Sequence, residues 1–534
     1  MRIWNKFSKK EKYIFYFLTL TNCLPIFLVK FFSTYDGPSH LYNARLIAEL
    51  LKSNNKVINT FFAFNFDFQS NLLGHFLLAF SSFFMPMYVA EKILMCIYLI
   101  GLPISFRLLI NYINKENIIL SYLIFPLTYS FIFFMGFYNF NLSIVFLLIT
   151  IGIFYKYKKN LNNKNFLLIC FLLILTYLSH LLNFLLAVSI IAAYIFFDLL
   201  NEIFKNYKSK KSFNIPTKKV VYLLLLIFMT LLLISQYNFS NNVSRKFTFL
   251  SKSELFNWLE IARPIIAFSY EKEISYSKIY FYLLFFLSII SIYRKFEGIK
   301  EKINNFLKCI LEDAWLLLVL IITFLYFFMP DSDGLSGYYS IRLCLLLFIF
   351  LILWLSNQKI SLFLKIFSTI IVFFIHFKLL MYYMEVEQEL SKNAQEIYEV
   401  SKKIEPNSVI LPINRSEHWF LAHFSNYCGI EKPLVILENY EADLPYFPIK
   451  WNTKNLPSIL LDTIKLNDII CANWNKKGDS IFFKVSNVLI IGHDVNNQDS
   501  CNLLINNILN LFFVLEEKSN IFLLFKYKSN IKNK

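Results

Sequence analysis

Residues 1–40 read MRIWNKFSKKEKYIFYFLTLTNCLPIFLVKFFSTYDGPSH, and this stretch indicates the plan of the chain. Five Lys and Arg residues precede an apolar run over about 13–32, and ~20 such residues are enough to cross a bilayer. The run lacks a small-residue cleavage site, so it predicts an uncleaved first membrane helix. Positive charges before a span indicate a cytoplasmic N-terminus, which makes Asp36 the first acidic residue on the outer side.

Composition extends this prediction to the whole chain. Of 534 residues, 57% are hydrophobic and only 17% are charged, which excludes an ordinary soluble enzyme, a disordered chain and a fibrous protein. The net charge of +17 falls largely in short loops between apolar segments, where it is typical of topology signals. We therefore expect a polytopic helical membrane protein whose partner is the lipid bilayer and not nucleic acid.

The apolar segments predict eleven membrane spans. Residues 72–87 are too few for a span, so we interpret them as a juxtamembrane or re-entrant helix on the outer side. This choice keeps the lysine clusters inside, as the positive-inside rule requires. The predicted spans lie at about 13–32, 89–110, 118–135, 141–155, 165–179, 184–200, 219–236, 276–293, 313–330, 341–356 and 360–383.

An odd number of spans places everything after residue 383 outside the membrane. We predict a multi-span membrane domain over 1–383, with a first outer loop at 33–71, and an extracytoplasmic α/β domain over 384–534. In this tail, helix-like segments alternate with short apolar runs. The helix-like segments are 385–403, 455–466 and 501–511; the apolar runs are 408–413, 433–437, 468–472, 487–492 and 520–525.

Asp36 and His40 are the first candidate catalytic residues. Two interpretations of Asp36 are open. It can be the N-cap of an amphipathic helix, with Pro38 in the first turn. A carboxylate at the water–lipid boundary, four residues before a histidine, is also placed to accept a proton or bind a cation.

Further polar residues fall at the outer ends of the predicted spans. Three histidines, His40, His75 and His180, are predicted on the same membrane face, which indicates a polar substrate cavity. A divalent metal ion is left open as a cofactor, although no HExxH spacing identifies its ligands. We expect the cavity to be lined by His75, Tyr138, Asn139, His180, Tyr338 and Tyr339.

Two arginines are candidates for binding a phosphate group. Arg342 opens a long apolar helix from the outer side, and its guanidinium fork matches phosphate geometry. The alternative is that the Arg342 side chain snorkels, so that its charged end reaches the membrane interface. Arg263 lies in an apolar-rich stretch, 253–268, which we interpret as an interfacial helix; interface anchoring is the alternative role there.

The segment 438–451 reads ENYEADLPYFPIKW and is dense in acidic and aromatic residues. Loops that contact carbohydrate often have this composition. A loop packed against the membrane domain would have it too, and we favour packing.

This layout resembles the GT-C superfamily of membrane glycosyltransferases, which includes protein mannosyltransferases, aminoarabinose transferases and oligosaccharyltransferases. The resemblance implies a polyprenyl-phosphate-linked sugar donor. It places Asp36 where the family has its base or metal ligand, and Arg342 where the family contacts the donor phosphate. The stretch AsnLeuLeuGlyHis (71–75) resembles the family's Pro-Pro-Leu segment without its prolines, and Gly37 stands where an acidic pair would continue. An oligosaccharyltransferase-type WWD motif is not found in the C-terminal sequence.

The resemblance predicts sugar transfer on the outer face of the membrane, with Asp36 as base and Arg342 on the donor phosphate. An uncleaved multi-span chain with an outward C-terminal domain and without organelle signals suits a bacterial inner membrane. Two alternatives share the lipid-linked substrate. One is a non-catalytic membrane protein of the same architecture that binds or assembles lipid-linked saccharides. The other is a surface-polysaccharide polymerase or ligase, and such enzymes depend on large outer loops with several arginines; the longest predicted outer loop, about 237–275, contains Arg245 and Arg263.

Overall fold

The structure is a computed structural model, and it describes residues 2–65, 69–208, 217–236, 246–297, 313–452, 485–492 and 500–528. The chain packs into two compact units. The first, which we call the helical unit, consists of Met1–Pro25 and Met95–Glu385. The second, the mixed unit, consists of Ile26–Leu94 and Val386–Lys534. The residues of the predicted first outer loop thus pack with the C-terminal residues, while the boundary predicted near residue 383 falls inside a helix.

The helical unit is built from long apolar helices. Among the described residues of the whole chain, seven helices are long and apolar enough to cross a membrane: those beginning at Met87, Tyr138, Leu181, Thr217, Tyr270, Tyr339 and Leu362. The structure is therefore that of a helical protein with several membrane-length segments. The α-helices lie at Arg2–Thr21, Met87–Ile113, Phe131–Phe134, Tyr138–Tyr157, Asn163–Ser179, Leu181–Lys208, Thr217–Gln236, Lys252–Glu260, Tyr270–Glu297, Ala314–Phe328, Tyr339–Ser356 and Leu362–Val400.

Four of the eleven predicted spans are not among these seven helices. Asn163–Ser179 and Ala314–Phe328 are apolar helices of 17 and 15 residues. The first predicted span is interrupted after Thr21, four residues before Pro25, and continues only as the short helix Leu24–Phe27. The predicted span at 118–135 is wrong as a single helix. It forms a 3₁₀ stretch, Lys115–Leu127, that contains Pro126, and proline removes a backbone donor from a helix interior.

The mixed unit combines short helices with two small sheets. The segment predicted as a juxtamembrane or re-entrant helix contains the nine-residue helix Leu73–Ser81, far shorter than a span. The other helices are Gly37–Lys52, Lys56–Phe61 and Ser500–Phe512. The strands are β1 (Phe62–Phe64), β2 (Val409–Asn414), β3 (Val435–Ile436), β4 (Ile449–Trp451), β5 (Asn487–Ile491), β6 (Phe513–Lys518) and β7 (Phe522–Tyr527).

Five strands form a sheet in the order β3-β2-β5-β7-β6. Strand β2 runs parallel to β3 and β5, while β7 is antiparallel to β5 and β6. Every residue of β5 is buried, as in a central strand covered on both faces. The apolar runs predicted at 408–413, 433–437, 487–492 and 520–525 all overlap strands of this sheet. The predicted apolar run at 468–472 and the predicted helix-like segment at 455–466 lie outside the described residues.

Tyr42 fixes the helix Gly37–Lys52 to the outer edge of this sheet. Its hydroxyl accepts a hydrogen bond from the Ile436 backbone N–H at 2.9 Å and donates one to the Leu434 carbonyl at 2.8 Å. The ring is fully buried against Gly429. A Cβ atom at that glycine would lie 2.4 Å and 2.6 Å from two ring carbons of Tyr42.

We expect Gly429→Ala to destabilise the protein by about 1–3 kcal/mol, because the added methyl group overpacks a ring that two hydrogen bonds hold in place. The thermal unfolding midpoint of the detergent-solubilised chain measures this. Gly152→Ala is the matched control, since the nearest atoms to its added Cβ lie at 3.9–4.0 Å. An equal midpoint for Gly429→Ala and the wild type would contradict the prediction.

Candidate functional site

The helix Gly37–Lys52 places the first candidate residues on one face. Asp36, His40 and Asn43 are spaced by four and three residues, so their side chains lie above one another. Asp36 occupies the N-cap position, and Pro38 lies in the first turn, as predicted. The carboxylate, however, makes no capping hydrogen bond to the helix.

The acidic and aromatic segment 438–451 packs against this helix face. Asn439 and Asn43 exchange two amide hydrogen bonds, at 3.0 Å and 2.8 Å, and both side chains are buried. At the far end of the segment, β4 pairs with β1, and Trp451 stacks on Phe62 with ring centroids 4.4 Å apart. These contacts lie inside the mixed unit, whereas the packing that we favoured from the sequence was against the membrane domain.

His40, His75 and Glu441 form a buried cluster inside the mixed unit. His40 Nδ1 lies 2.7 Å from Glu441 Oε1, and His75 Nε2 lies 2.9 Å from Glu441 Oε2. The two imidazole nitrogens are 3.2 Å apart, and the rings meet edge to face. Residue exposure is 6% for His40 and 1% for the other two. Among the described residues, these three form a group whose ligand atoms are close enough together to hold a metal ion.

Charge complementarity governs this cluster. Burial alone would raise the pKa of Glu441, but the two imidazoles beside it hold that pKa at about 2. Burial alone would lower the pKa of His40, whereas contact with Glu441 raises it above the usual value. The cluster therefore holds a carboxylate with a positive partner, and that partner can be a proton or a cation.

Asp36 belongs to a second group, with His423 and Glu438. Its Oδ1 lies 3.7 Å from His423 Nε2, while His423 Nδ1 hydrogen bonds to Glu438. Glu438 also accepts hydrogen bonds of 2.8 Å from Ser425 and Asn426, which hold it in position. Burial raises the pKa of Asp36, while the charges of His423 and His40 act against that rise.

Arg342 and His180 contact each other in the helical unit. Arg342 Nη1 lies 3.3 Å from His180 Nε2, and the guanidinium sits 4.6 Å and 5.4 Å from the ring centroids of Phe137 and Phe140. Arg342 is 8% exposed, so its charge is enclosed by aromatic rings. On the same helix as Phe140, the buried amide of Asn141 finds no hydrogen-bond partner among the described residues.

The remaining predicted site residues are also in the helical unit. Arg263 begins a 3₁₀ turn after the helix Lys252–Glu260; it donates a hydrogen bond to the Ile266 carbonyl and packs over the Phe131 ring at 4.5 Å. The predicted cavity residues differ in exposure. Tyr138 and Asn139 are buried, Tyr339 is half-buried, and Tyr338 is exposed with a left-handed φ of 62°.

The structure thus brings Asp36, His40 and His75 into one unit, while His180 lies in the other. Sequence reasoning missed the roles of His423, Glu438 and Glu441. The available signal was the density of acids in 438–451 and the two histidines in HisTrpPheLeuAlaHis (418–423), but nothing local connects them with the first outer loop.

Comparison with known proteins adds no assignment. No protein-family model matches the chain, and no curated protein gives a significant match. The function is therefore argued from the residues themselves.

Proposed function

We propose that the chain is an integral-membrane glycosyltransferase of GT-C type, which moves a sugar from a polyprenyl-phosphate-linked donor to an acceptor hydroxyl. The observation that carries the proposal is the position of the Asp36 carboxylate. This carboxylate follows the first apolar segment directly, and it faces His423 instead of capping its own helix. A buried carboxylate that is not engaged in a cap is available for chemistry.

Transfer of a sugar to a hydroxyl requires that the acceptor proton be removed as the new glycosidic bond forms. Asp36 takes that proton, and His423 and Glu438 hold it in position. The bond between the sugar and the donor phosphate breaks in the same step, and the phosphate leaves with its negative charge. His40, which we predicted to act beside Asp36, shares Glu441 with His75.

Arg342 is assigned the donor phosphate. Its guanidinium cannot lose its charge and offers a fork of donors suited to phosphate oxygens. Enclosure by Phe137 and Phe140 supports this role, because a charge removed from water interacts more strongly with an anion. Arg263 is the second candidate; its bond to the Ile266 carbonyl favours a structural part in the same unit.

We place the reaction on the extracytoplasmic face of a bacterial inner membrane. The support is the distribution of lysines in the sequence, which puts the N-terminus inside and the first outer loop outside. A lipid-linked donor accounts for a site built beside the first apolar segment.

The test is a transfer assay on the purified full chain in detergent. A panel of polyprenyl-phosphate sugars is supplied with a lipid extract as acceptor source, and release of polyprenyl phosphate is measured. Release from at least one donor is expected. Retention of a donor on the protein without release, across the whole panel, would replace the proposal with a non-catalytic protein that binds lipid-linked saccharides.

A further inference from the structure

We propose that His40, His75 and Glu441 form a zinc site. His40 Nδ1 and His75 Nε2 lie 3.2 Å apart, and each lies 2.7–2.9 Å from a different oxygen of Glu441. With one ligand atom from each residue, the three atoms lie within 4.8 Å of one another. A tetrahedral zinc ion with bonds of about 2.0–2.1 Å separates its ligand atoms by about 3.3 Å. The three side chains therefore need only small shifts to admit the ion.

The donor set favours zinc over magnesium and calcium. Two imidazole nitrogens and one carboxylate are typical of zinc sites that keep a fourth position for water or substrate. Magnesium and calcium prefer shells of oxygen ligands. A surface pair of histidines would bind metals weakly, whereas these side chains are almost wholly buried.

The surrounding contacts hold the ligands in position before an ion arrives. The Asn43–Asn439 amide pair fixes the helix that contains His40 to the segment that contains Glu441. Phe447 packs against the imidazole rings of both His75 and His40, with centroids 5.4 Å and 6.4 Å away. Such outer contacts orient ligands and raise metal affinity.

The charges fit a divalent ion as well. Glu441 contributes one negative charge, and Asp36, one helical turn before His40, is close enough to the cluster to interact electrostatically with His40 and Glu441. The site does not depend on the proposed sugar transfer, because it rests only on the geometry of these three residues.

The experiment measures zinc uptake by the full chain after a chelator wash, by elemental analysis and by competition with a chromophoric chelator. Wild type is expected to bind one zinc ion per chain. His75→Phe keeps an aromatic ring against Phe447, and Glu441→Gln keeps the side-chain volume, yet each is expected to lose at least about 100-fold in zinc affinity. His418→Gln is the matched control, since this exposed histidine of the same unit should not contribute.

A second readout guards against misfolding. Zinc is expected to raise the thermal midpoint of wild type and His418→Gln, and to leave that of His75→Phe and Glu441→Gln unchanged. Failure of the wild type to take up zinc, or equal uptake by wild type and Glu441→Gln, would overturn the site. Zinc uptake without any sugar transfer would overturn the proposed function and leave the zinc site standing.

Discussion

Asp36→Asn is expected to lower the rate of sugar transfer by about 10²–10⁴-fold, because it removes the group that accepts the acceptor proton. The substitution separates catalysis from capping. Asn is as good an N-cap residue as Asp, and the carboxylate makes no capping bond here. The thermal midpoint should therefore stay near that of wild type while transfer falls. Initial rates at saturating donor measure the effect.

Glu405→Gln is the matched control for this loss. Glu405 lies in the same unit, and its side chain is 78% exposed with an ion pair at 3.5 Å to Lys526. Transfer by this variant should equal that of wild type. A folded Asp36→Asn protein with undiminished transfer would remove Asp36 from the reaction and return it to a purely structural role.

Arg342→Gln is expected to raise the KM for the lipid-linked donor by roughly 10–100-fold, the loss expected for one hydrogen bond to a charged group. Arg342→Lys should recover only part of this, since lysine keeps the charge but not the two-pronged geometry. The two variants together separate charge from shape. Donor titrations with each purified variant give both KM and kcat.

Arg294→Gln is the control for this second prediction. Arg294 is an exposed arginine of the same unit, and it donates a hydrogen bond to the Lys359 carbonyl at 3.0 Å. It should leave the donor KM unchanged. If Arg342→Gln lowers the thermal midpoint while the donor KM stays at the wild-type value, the guanidinium serves packing against Phe137 and Phe140 and does not bind phosphate.

The membrane-length helices could be predicted because an apolar run of sufficient length has few other stable states. Leu362–Val400 extends this argument. The sequence suggested a span and a separate helix, yet the 39 residues contain no Gly or Pro to interrupt the backbone, and they form one continuous helix. The error at 118–135 has the opposite cause, since hydrophobicity there outweighed the signal of Pro126.

Only those residues of the candidate site that are close together in the sequence could be predicted. Asp36 and His40 stand out because their helix follows directly on the first apolar segment. Their partners come from residues that no periodicity links to that helix. Glu441 lies 366 positions after His75 along the chain, and pairing across such a distance is decided by packing of the whole unit.

That separation has a consequence for synthesis. After His75 has been added to the growing chain, 366 further residues must be made to reach Glu441. At about 5–20 residues per second, the delay is roughly 20–70 s. Over this interval the helix Gly37–Lys52 lacks the segment that buries it, and the seven membrane-length helices, which all lie between His75 and Glu441, are made first. Folding of the mixed unit is therefore late, because it waits for synthesis of the segment 438–451.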